Sequence, residues 1–420
     1  MRLTTLMIGA LMFACTPGSL KLGDDPELET TSATEGTSEP TSAGETTETG
    51  EPAPEGELEW RKIFNDVAGY DVAVGPDGTF VVIGERGYTP QGDGGVFESR
   101  WIGKYGPDGT ELWLHETLNV GMESYPIPLS VSVGPDGDIF LAVVDYSTLE
   151  GGGNAVVRLD PDGEELWSVG LGGRVGIVEA TPDGGVIFGG GKSVAPNNTV
   201  AWVQALDAAG AVVWEQTYGD PEMRGSSVGA IAFDGEDVIL AGSMGVAPDS
   251  SQAAAWLHRA ALGDGAEIWD QVVSAAVATD FATGVGVTAD GTILALVQAD
   301  GQTVRAYSPG GSELWQFTPT IADGGGTLAV ASDGAFTLTD GLYLPIEDPN
   351  ACFGVFSPCP VRMRVEHRGA DRSLLWQATS EECRAGTIAA TLPNDGVLVL
   401  ANCSGPGDGD EVLGVHRFAP

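Results

Sequence analysis

The sequence is poor in basic residues. Only 19 Lys and Arg stand against 60 Asp and Glu, which gives a formal net charge of −41 at pH 7. A surface of that sign repels phosphate backbones and anionic lipid headgroups. The composition therefore argues against nucleic acid as a partner.

Long apolar runs are also lacking, except at the N-terminus. There, Arg2 precedes the apolar residues 3–13, which are too few for a spanning helix but suit an export signal. Met12-Phe13-Ala14-Cys15 resembles the lipobox of bacterial lipoproteins, in which the Cys becomes the lipidated first residue after cleavage. We predict a lipoprotein signal peptide over residues 1–15 with lipidation at Cys15. Ordinary signal cleavage and an uncleaved anchor are the alternatives.

Cysteines are few, and the sequence has neither an adjacent Cys-Cys pair nor a Cys-x-x-Cys knuckle. With Cys15 set aside for lipid, four of the five remain, enough for two disulfides in an oxidising compartment. The nearest pairing joins Cys352 to Cys359 across a loop and Cys383 to Cys403 across a predicted hairpin, although four cysteines permit three pairings. A zinc site is the alternative, and the missing knuckle argues against it.

Residues 16–57 have almost nothing to bury, since Thr, Ser, Glu, Gly and Pro dominate them. We predict a disordered tether here, with an average reach of roughly 35 Å. The globular part is then predicted over residues 58–420.

What the sequence does have is a Trp that closes the same short phrase seven times, as in Glu111-Leu112-Trp113. These tryptophans are spaced by 53, 54, 47, 55, 46 and 61 residues, which is a repeat period. We expect them to pack between neighbouring sheets, because such rings bury large apolar area. They are Trp60, Trp113, Trp167, Trp214, Trp269, Trp315 and Trp376. We expect Trp101, Trp202 and Trp256 to belong to the core as well.

A second marker, an Asp-Gly turn, also recurs seven times. Each unit offers four short β-rich segments, strands A to D, and this turn joins A to B; Gly accepts the positive φ that such turns require. A similar turn joins C to D only six times. The A–B turns are Pro76-Asp77-Gly78, Pro135-Asp136-Gly137, Pro182-Asp183-Gly184, Asp234-Gly235, Asp290-Gly291, Asp333-Gly334 and Asn394-Asp395-Gly396.

The two ends of the repeat region complement each other. The chain stops just after strand C of the last unit, whereas Leu58-Glu59-Trp60 is a strand D that has no unit of its own. A ring of four-stranded sheets can close by letting its first strand complete the last sheet, which leaves few exposed edges. The sequence therefore predicts an all-β, seven-bladed β-propeller closed by its N-terminal strand.

Two units carry a family resemblance. Arg158-Leu159-Asp160-Pro161-Asp162-Gly163 and Ala205-Leu206-Asp207-Ala208-Ala209-Gly210, each followed by Trp after three more residues, look like the repeats of pyrroloquinoline-quinone-like (PQQ-like) propellers. The resemblance implies the fold. Quinone enzymes of that family also bring a calcium-bound carboxylate site and often paired cysteines. Other relatives are non-catalytic, including the propeller lipoprotein of the outer-membrane β-barrel assembly machinery.

The topology predicts where a ligand would bind. Antiparallel strands put the A–B and C–D turns on one face of the ring and the B–C and D–A connections on the other. The second face carries the irregular stretches, among them residues 86–98 and 191–199, and binding residues concentrate on such loops. Its aromatic and cationic candidates are Tyr88, Tyr125, Tyr146, Arg224, Tyr343, Phe353 and Phe356.

Catalytic signals are thin. We interpret His258, His367 and His416 as exposed strand residues on separate blades, and no EF-hand loop occurs. We expect no catalytic residue, no metal and no cofactor, with calcium or PQQ as alternatives.

The expected function is that of an exported, lipid-anchored, monomeric binding or scaffold module without catalysis. Its partner would be a protein or a glycan, held by the loop-rich face. Its location would be the cell envelope, at the outer membrane of a Gram-negative bacterium. The alternative is an exported enzyme, either a quinone-dependent dehydrogenase or a carbohydrate-active one.

Overall fold

The chain forms strands throughout the part that the structure, a computed structural model, describes. That part comprises residues 54–65, 67–91, 94–118, 126–145, 153–195, 198–247, 252–274, 280–299, 301–319, 326–343, 361–380, 383, 388–404 and 411–420. These residues contain 28 strands and no helix. None of them belongs to a helix of the length and hydrophobicity that crossing a membrane requires.

The strands make seven four-stranded antiparallel sheets, blades 1 to 7. Blades 1 to 3 contain β2 (Val67–Val74), β3 (Phe80–Gln91), β4 (Gly94–Tyr105) and β5 (Glu111–Leu118); β6 (Pro126–Val133), β7 (Ile139–Asp145), β8 (Ala155–Leu159) and β9 (Glu165–Gly170); and β10 (Arg174–Ala180), β11 (Val186–Ala195), β12 (Asn198–Leu206) and β13 (Val212–Tyr218). Blades 4 and 5 contain β14 (Ser227–Asp234), β15 (Asp237–Gly245), β16 (Ala253–Ala261) and β17 (Glu267–Val272); and β18 (Phe281–Val287), β19 (Ile293–Ala299), β20 (Gly301–Tyr307) and β21 (Glu313–Phe317).

Blade 6 contains β22 (Thr327–Val330), β23 (Phe336–Tyr343), β24 (Val361–Arg368) and β25 (Leu374–Ser380). Blade 7 takes β26 (Ile388–Thr391), β27 (Val397–Ser404) and β28 (Glu411–Phe418) from the C-terminus and β1 (Leu58–Asn65) from the N-terminus. Strand β1 is antiparallel to β28, with Lys62 opposite Val415. The seven-bladed propeller and its closure by the N-terminal strand are therefore confirmed.

Tight turns join strands A to B and C to D in the way that their sequences predict. In blade 1 the amide of Gly78 donates to the carbonyl of Gly75 at 3.0 Å, and Gly78 has a φ of 80°. Two turns place another residue at this position: Arg372, with a φ of 71°, and Asp395, with a φ of 63°. The A–B turn of blade 7 is thus shifted by one residue from the predicted Asp395-Gly396 alignment.

Two stretches that the sequence analysis treated as irregular are paired strands instead. In blade 1 the β3–β4 ladder continues to Gln91 opposite Gly94, and in blade 3 the β11–β12 ladder continues to Ala195 opposite Asn198. The strands on either side keep their antiparallel register up to these pairs.

The core lies between the blades. The described residues form seven apolar clusters, and each cluster joins two neighbouring sheets around the ring. Trp101, Trp202 and Trp256 are almost fully buried in three of these clusters. Because each sheet has an apolar partner on both sides, burial of the ring requires that it be closed.

Candidate functional site

The repeat tryptophans form a girdle of contacts near the turn face, the face that carries the A–B and C–D turns. Six of the seven rings lie against the positive-φ residue of the next blade's C–D turn. A Cβ on Gly265 would lie 2.8 Å from Cε3 of Trp214, and one on Gly311 would lie 3.2 Å from Cδ2 of Trp269. A side chain at Gly265 would therefore collide with the indole of Trp214. We call these contacts of the repeat tryptophans the rim contacts.

Hydrogen bonds fix the direction of four of these indoles, those of Trp113, Trp167, Trp214 and Trp269. Trp214 Nε1 donates to the carbonyl of Leu262 at 2.7 Å, and Trp113 Nε1 donates to the carbonyl of Pro161 at 3.0 Å. A cation from strand C often binds the same carbonyl, as when Lys104 Nζ donates to Pro161 at 2.9 Å. Each such junction therefore combines an apolar contact with a hydrogen bond. The ring and the N–H of the Trp both have partners within the fold, so these tryptophans are structural.

Two rim contacts depart from the pattern but keep its geometry. Arg372 replaces the turn Gly of blade 6, and its guanidinium lies 5.2 Å from the ring centre of Trp315. Blade 7 has no C–D turn, and Gly56 from the N-terminal segment takes that place against Trp376. The amide of Gly56 donates to the carbonyl of Gln377 at 3.0 Å, which holds this segment in position.

The opposite face, which we call the loop face, carries the B–C and D–A connections. In blade 1 the neighbouring strands β2 and β5 are last paired at Arg86 and Ser99, whereas β3 and β4 form four further residue pairs. In blade 3 the β11–β12 pair likewise continues past its neighbours and exposes Val194. Among the described residues, these two hairpins project furthest on the loop face.

The candidate ligand residues are spread around this face. Tyr88 lies in the projecting part of β3, Arg224 lies between β13 and β14, and Tyr343 is the last residue of β23. These positions belong to different blades, so the structure does not bring them into one cluster. Tyr125, Tyr146, Phe353 and Phe356 lie outside the described residues, as do Cys15, Cys352 and Cys359.

A channel of about 720 Å³ runs along the axis and is lined by strand A of all seven blades. Two of its described lining residues are carboxylates, Asp71 on β2 and Glu179 on β10, and none is Lys, Arg or His. Neither carboxylate is among the residues predicted from the sequence. When the strands A of the first three units are aligned on their A–B turns, Asp71 stands at the position of Ser130. It is the only charged residue at that position in these three units.

Strand β6 connects the two carboxylates. Asp71 Oδ2 accepts from the amide of Val131 at 2.9 Å, and Glu179 is hydrogen-bonded to Ser132, the next residue along the same strand. Ser132 Oγ also accepts from the amide of Ala180 at 3.0 Å. The three innermost strands of blades 1, 2 and 3 thus share one polar network inside the channel.

Burial raises the pKa of both carboxyls, because the surrounding protein disfavours the charged form. It raises the pKa of Asp71 to about 6, against the opposing effect of the Val131 and Val72 amides. It raises the pKa of Glu179 to about 7, and the nearby Asp71 charge adds to the rise. Small pH changes near neutrality therefore alter the charge of the channel.

The channel does not fit the cofactors that the quinone enzymes use. PQQ is a tricarboxylate, and the described lining offers it two carboxyls and no cation. Calcium takes six to eight oxygen ligands, whereas both oxygens of Asp71 already accept backbone amides, from Val72 at 2.8 Å and Val131 at 2.9 Å. No reaction step is therefore assigned to PQQ or calcium in this channel.

The cysteine pairing is observed where the structure describes it. Cys383 and Cys403 form a disulfide and stand opposite each other beyond the β26–β27 ladder. The expectation that three histidines are exposed is wrong for all three. His258, His367 and His416 are buried, because strand C lies inside each sheet and its two faces pack against neighbouring blades.

Comparison with known proteins supports the repeat class. Residues 98–276 match the sequence model of a PQQ repeat family described as outer membrane protein assembly factor BamB. The matched stretch begins in β4 and ends just after β17, so it contains blades 2, 3 and 4 entirely. This match supports a PQQ-like propeller repeat protein, in agreement with the resemblance of the two repeat units described above. No curated protein sequence matches it.

Solved structures agree on the fold. Raptor from Chaetomium thermophilum aligns with a TM-score of 0.52 at 11% identity, over 87% of this chain and 29% of that chain. BamB from Moraxella catarrhalis gives 0.42 at 16% identity, over 79% and 96% of the two chains. YCF48 bound to a D1 peptide gives 0.48 at 10% identity, over 88% and 100%. At 11% identity, the Raptor alignment supports the fold alone.

Proposed function

We propose that this chain is an exported, lipid-anchored binding module that holds a protein partner on its loop face and performs no catalysis. The projecting β3–β4 and β11–β12 hairpins carry the proposal, because they offer rigid, paired backbone beyond the sheets on one face only. The turn face offers short turns whose ends are occupied by the rim contacts.

Two further observations support a binding module over an enzyme. The family matched by residues 98–276 is described as an assembly factor, and the described channel lining suits neither PQQ nor calcium. A glycan partner and a carbohydrate-active enzyme remain the competing outcomes of the test below. The net charge of −41 favours a partner surface that carries positive charge.

Site-specific photocrosslinking in the producing cell tests the face. We expect a crosslinker at Tyr88, Arg224 or Tyr343 to give a protein adduct of one defined mass. The matched controls are Asp108 and Asp162, exposed residues of the turn face, where we expect no adduct. Adducts from both faces alike, or heterogeneous adducts removed by glycosidases, would contradict a protein partner on the loop face.

The anchor is tested separately through Cys15. Replacement by Ser removes the thiol that would carry the lipid, so we expect the chain to leave the membrane fraction and become extractable by buffer alone. Cys352→Ser is the matched control and should stay with the membranes. Retention of Cys15→Ser would show that the N-terminal segment is an uncleaved anchor instead.

A further inference from the structure

The closing blade contains a cluster of buried side chains that are good metal ligands. Cys383, Cys403 and His416 each offer one ligand atom, and these atoms all lie within 4.8 Å of one another. Among the described residues this is the one such group. His416 is 3% exposed, and its Nε2 lies 3.6 Å from Cys383 Sγ.

That distance is the one a shared metal ion would set. Bonds of about 2.3 Å to sulfur and about 2.05 Å to imidazole nitrogen, at a tetrahedral angle, place the two atoms about 3.5 Å apart. The two sulfurs would stand about 3.8 Å apart on the same ion, so the cysteines must be reduced before they can bind it.

Gly414 makes the approach of these groups feasible. A Cβ at this position would lie 2.7 Å from His416 Nε2 and 2.9 Å from Cys403 Sγ. Gly414 and His416 lie on β28 two residues apart, so both face the same side of the sheet as the sulfurs. The absent side chain leaves the space in which the three ligand atoms meet.

We propose that reduction of the Cys383–Cys403 disulfide opens a buried Zn²⁺ site formed by the two thiolates and His416. Two thiolates and a divalent cation sum to zero charge, which suits the apolar cluster of Met363, Val365 and Val399 around them. Soft thiolates with imidazole select zinc over calcium or magnesium. Water completes the tetrahedron, since the described residues supply three ligands.

The chemistry balances in two steps. A trialkylphosphine and one water molecule reduce the disulfide, which yields two thiols and the phosphine oxide. Zn²⁺ then displaces the two thiol protons and takes the neutral imidazole as its third protein ligand. The last blade therefore has two alternative closures, a disulfide or a metal ion, between the same strands.

Metal titration of the full chain tests the proposal, with Cys15, Cys352 and Cys359 replaced by Ser so that two thiols remain. After phosphine reduction, Co²⁺ should produce a thiolate charge-transfer band with one equivalent bound, and Zn²⁺ should displace it. The oxidised chain should show no band. Absence of the band from the reduced chain, or its presence in the oxidised chain, overturns the proposal.

Variants assign the ligands. His416→Ala should weaken binding at least tenfold, since losing a direct ligand costs no less than losing its support. His367→Ala is the matched control, a buried histidine on strand C of the adjacent blade, and should bind as the parent does. Should His416→Ala fail to fold, Cys383→Ser must show the same weakening. Unchanged affinity in the folded variant rejects the site.

Discussion

The rim contacts and the axial channel are built from the same seven sequence repeats. The same contact recurs from blade to blade at the rim, whereas the residues that line the channel differ. At the rim, Trp meets a turn residue at one junction after another, even where Gly56 must replace a turn that the chain lacks. At the axis, blades 1 and 3 each place a carboxylate in the channel, and the strands of blades 4 to 7 place none among its described lining residues.

The difference shows which positions the fold requires. A rim contact is shared by two blades, so its loss opens a junction that every other blade depends on. A channel residue faces a cavity on one side, so its side chain can differ from blade to blade without filling the same junction each time. Four experiments test this division, beginning with the one that should have the largest effect.

Removal of residues 1–65 should abolish the ring. It deletes β1, exposes the edge of β28 and removes Phe64 and Trp60 from the cluster between blades 7 and 1. We expect no cooperative thermal transition and a strong tendency to associate. The matched truncation of residues 1–53 keeps Gly56 and should melt as the full chain does. A cooperative transition in the longer truncation would mean that closure does not hold the ring.

Trp214→Ala should cost about 3–5 kcal/mol of unfolding free energy, measured by urea denaturation, because it empties a buried rim contact. Trp376→Ala, at the closing junction, should cost about 1 kcal/mol less. Both indoles are 7% exposed, but Trp376 Nε1 has no hydrogen-bond partner among the described residues. Equal losses would show that the hydrogen bond to Leu262 contributes nothing.

The rim could be predicted from sequence because it is periodic. Trp spacing and Asp-Gly turns gave the number of blades, and the strand D at Leu58–Asn65 gave the closure. Both markers stand at fixed places in a repeat, so each occurrence supports the others. The shifted turn at Asp395 shows the limit, since a neighbouring Gly396 offered an equally good alignment.

The axis could not be predicted in the same way. Asp71 and Glu179 stand in half-buried strands. In such a strand an acidic residue is ordinarily expected to face solvent, and only the strand register shows that these two face the channel. His416 was misjudged for a related reason. Its strand is central in blade 7 only because β1 covers it, and its neighbour Cys383 comes from a segment 33 residues away.

Glu179, which lines the axial channel, should make the free energy of unfolding depend on pH. Its folded pKa of about 7 exceeds the usual 4.5, so the native state binds this proton more tightly than the unfolded state does. The contribution of Glu179 to the free energy of unfolding is fully present below about pH 4.5 and is lost as the pH rises towards 7. We expect Glu179→Gln to flatten the fall in melting temperature across that window.

Glu164→Gln is the control for this experiment. Glu164 is exposed in a C–D turn, so its replacement changes net charge by the same amount without changing a buried carboxyl. Its melting temperature should follow the parent's pH dependence. If both variants flatten the profile equally, general charge repulsion explains the effect and the channel does not.

The smallest effect should come from Arg372, where the rim uses a residue other than Gly. Its positive φ of 71° costs about 1 kcal/mol, and the guanidinium over Trp315 returns about 0.5–1 kcal/mol. Arg372→Ala keeps the strained backbone and loses the stacking, so it should lower the unfolding free energy by about 0.5–1 kcal/mol. Arg372→Gly loses the stacking but relieves the strain and should stay within about 0.5 kcal/mol of the parent. If Ala proves as stable as Gly in urea denaturation, backbone conformation is not what the rim selects at this position, and the indole alone determines the contact.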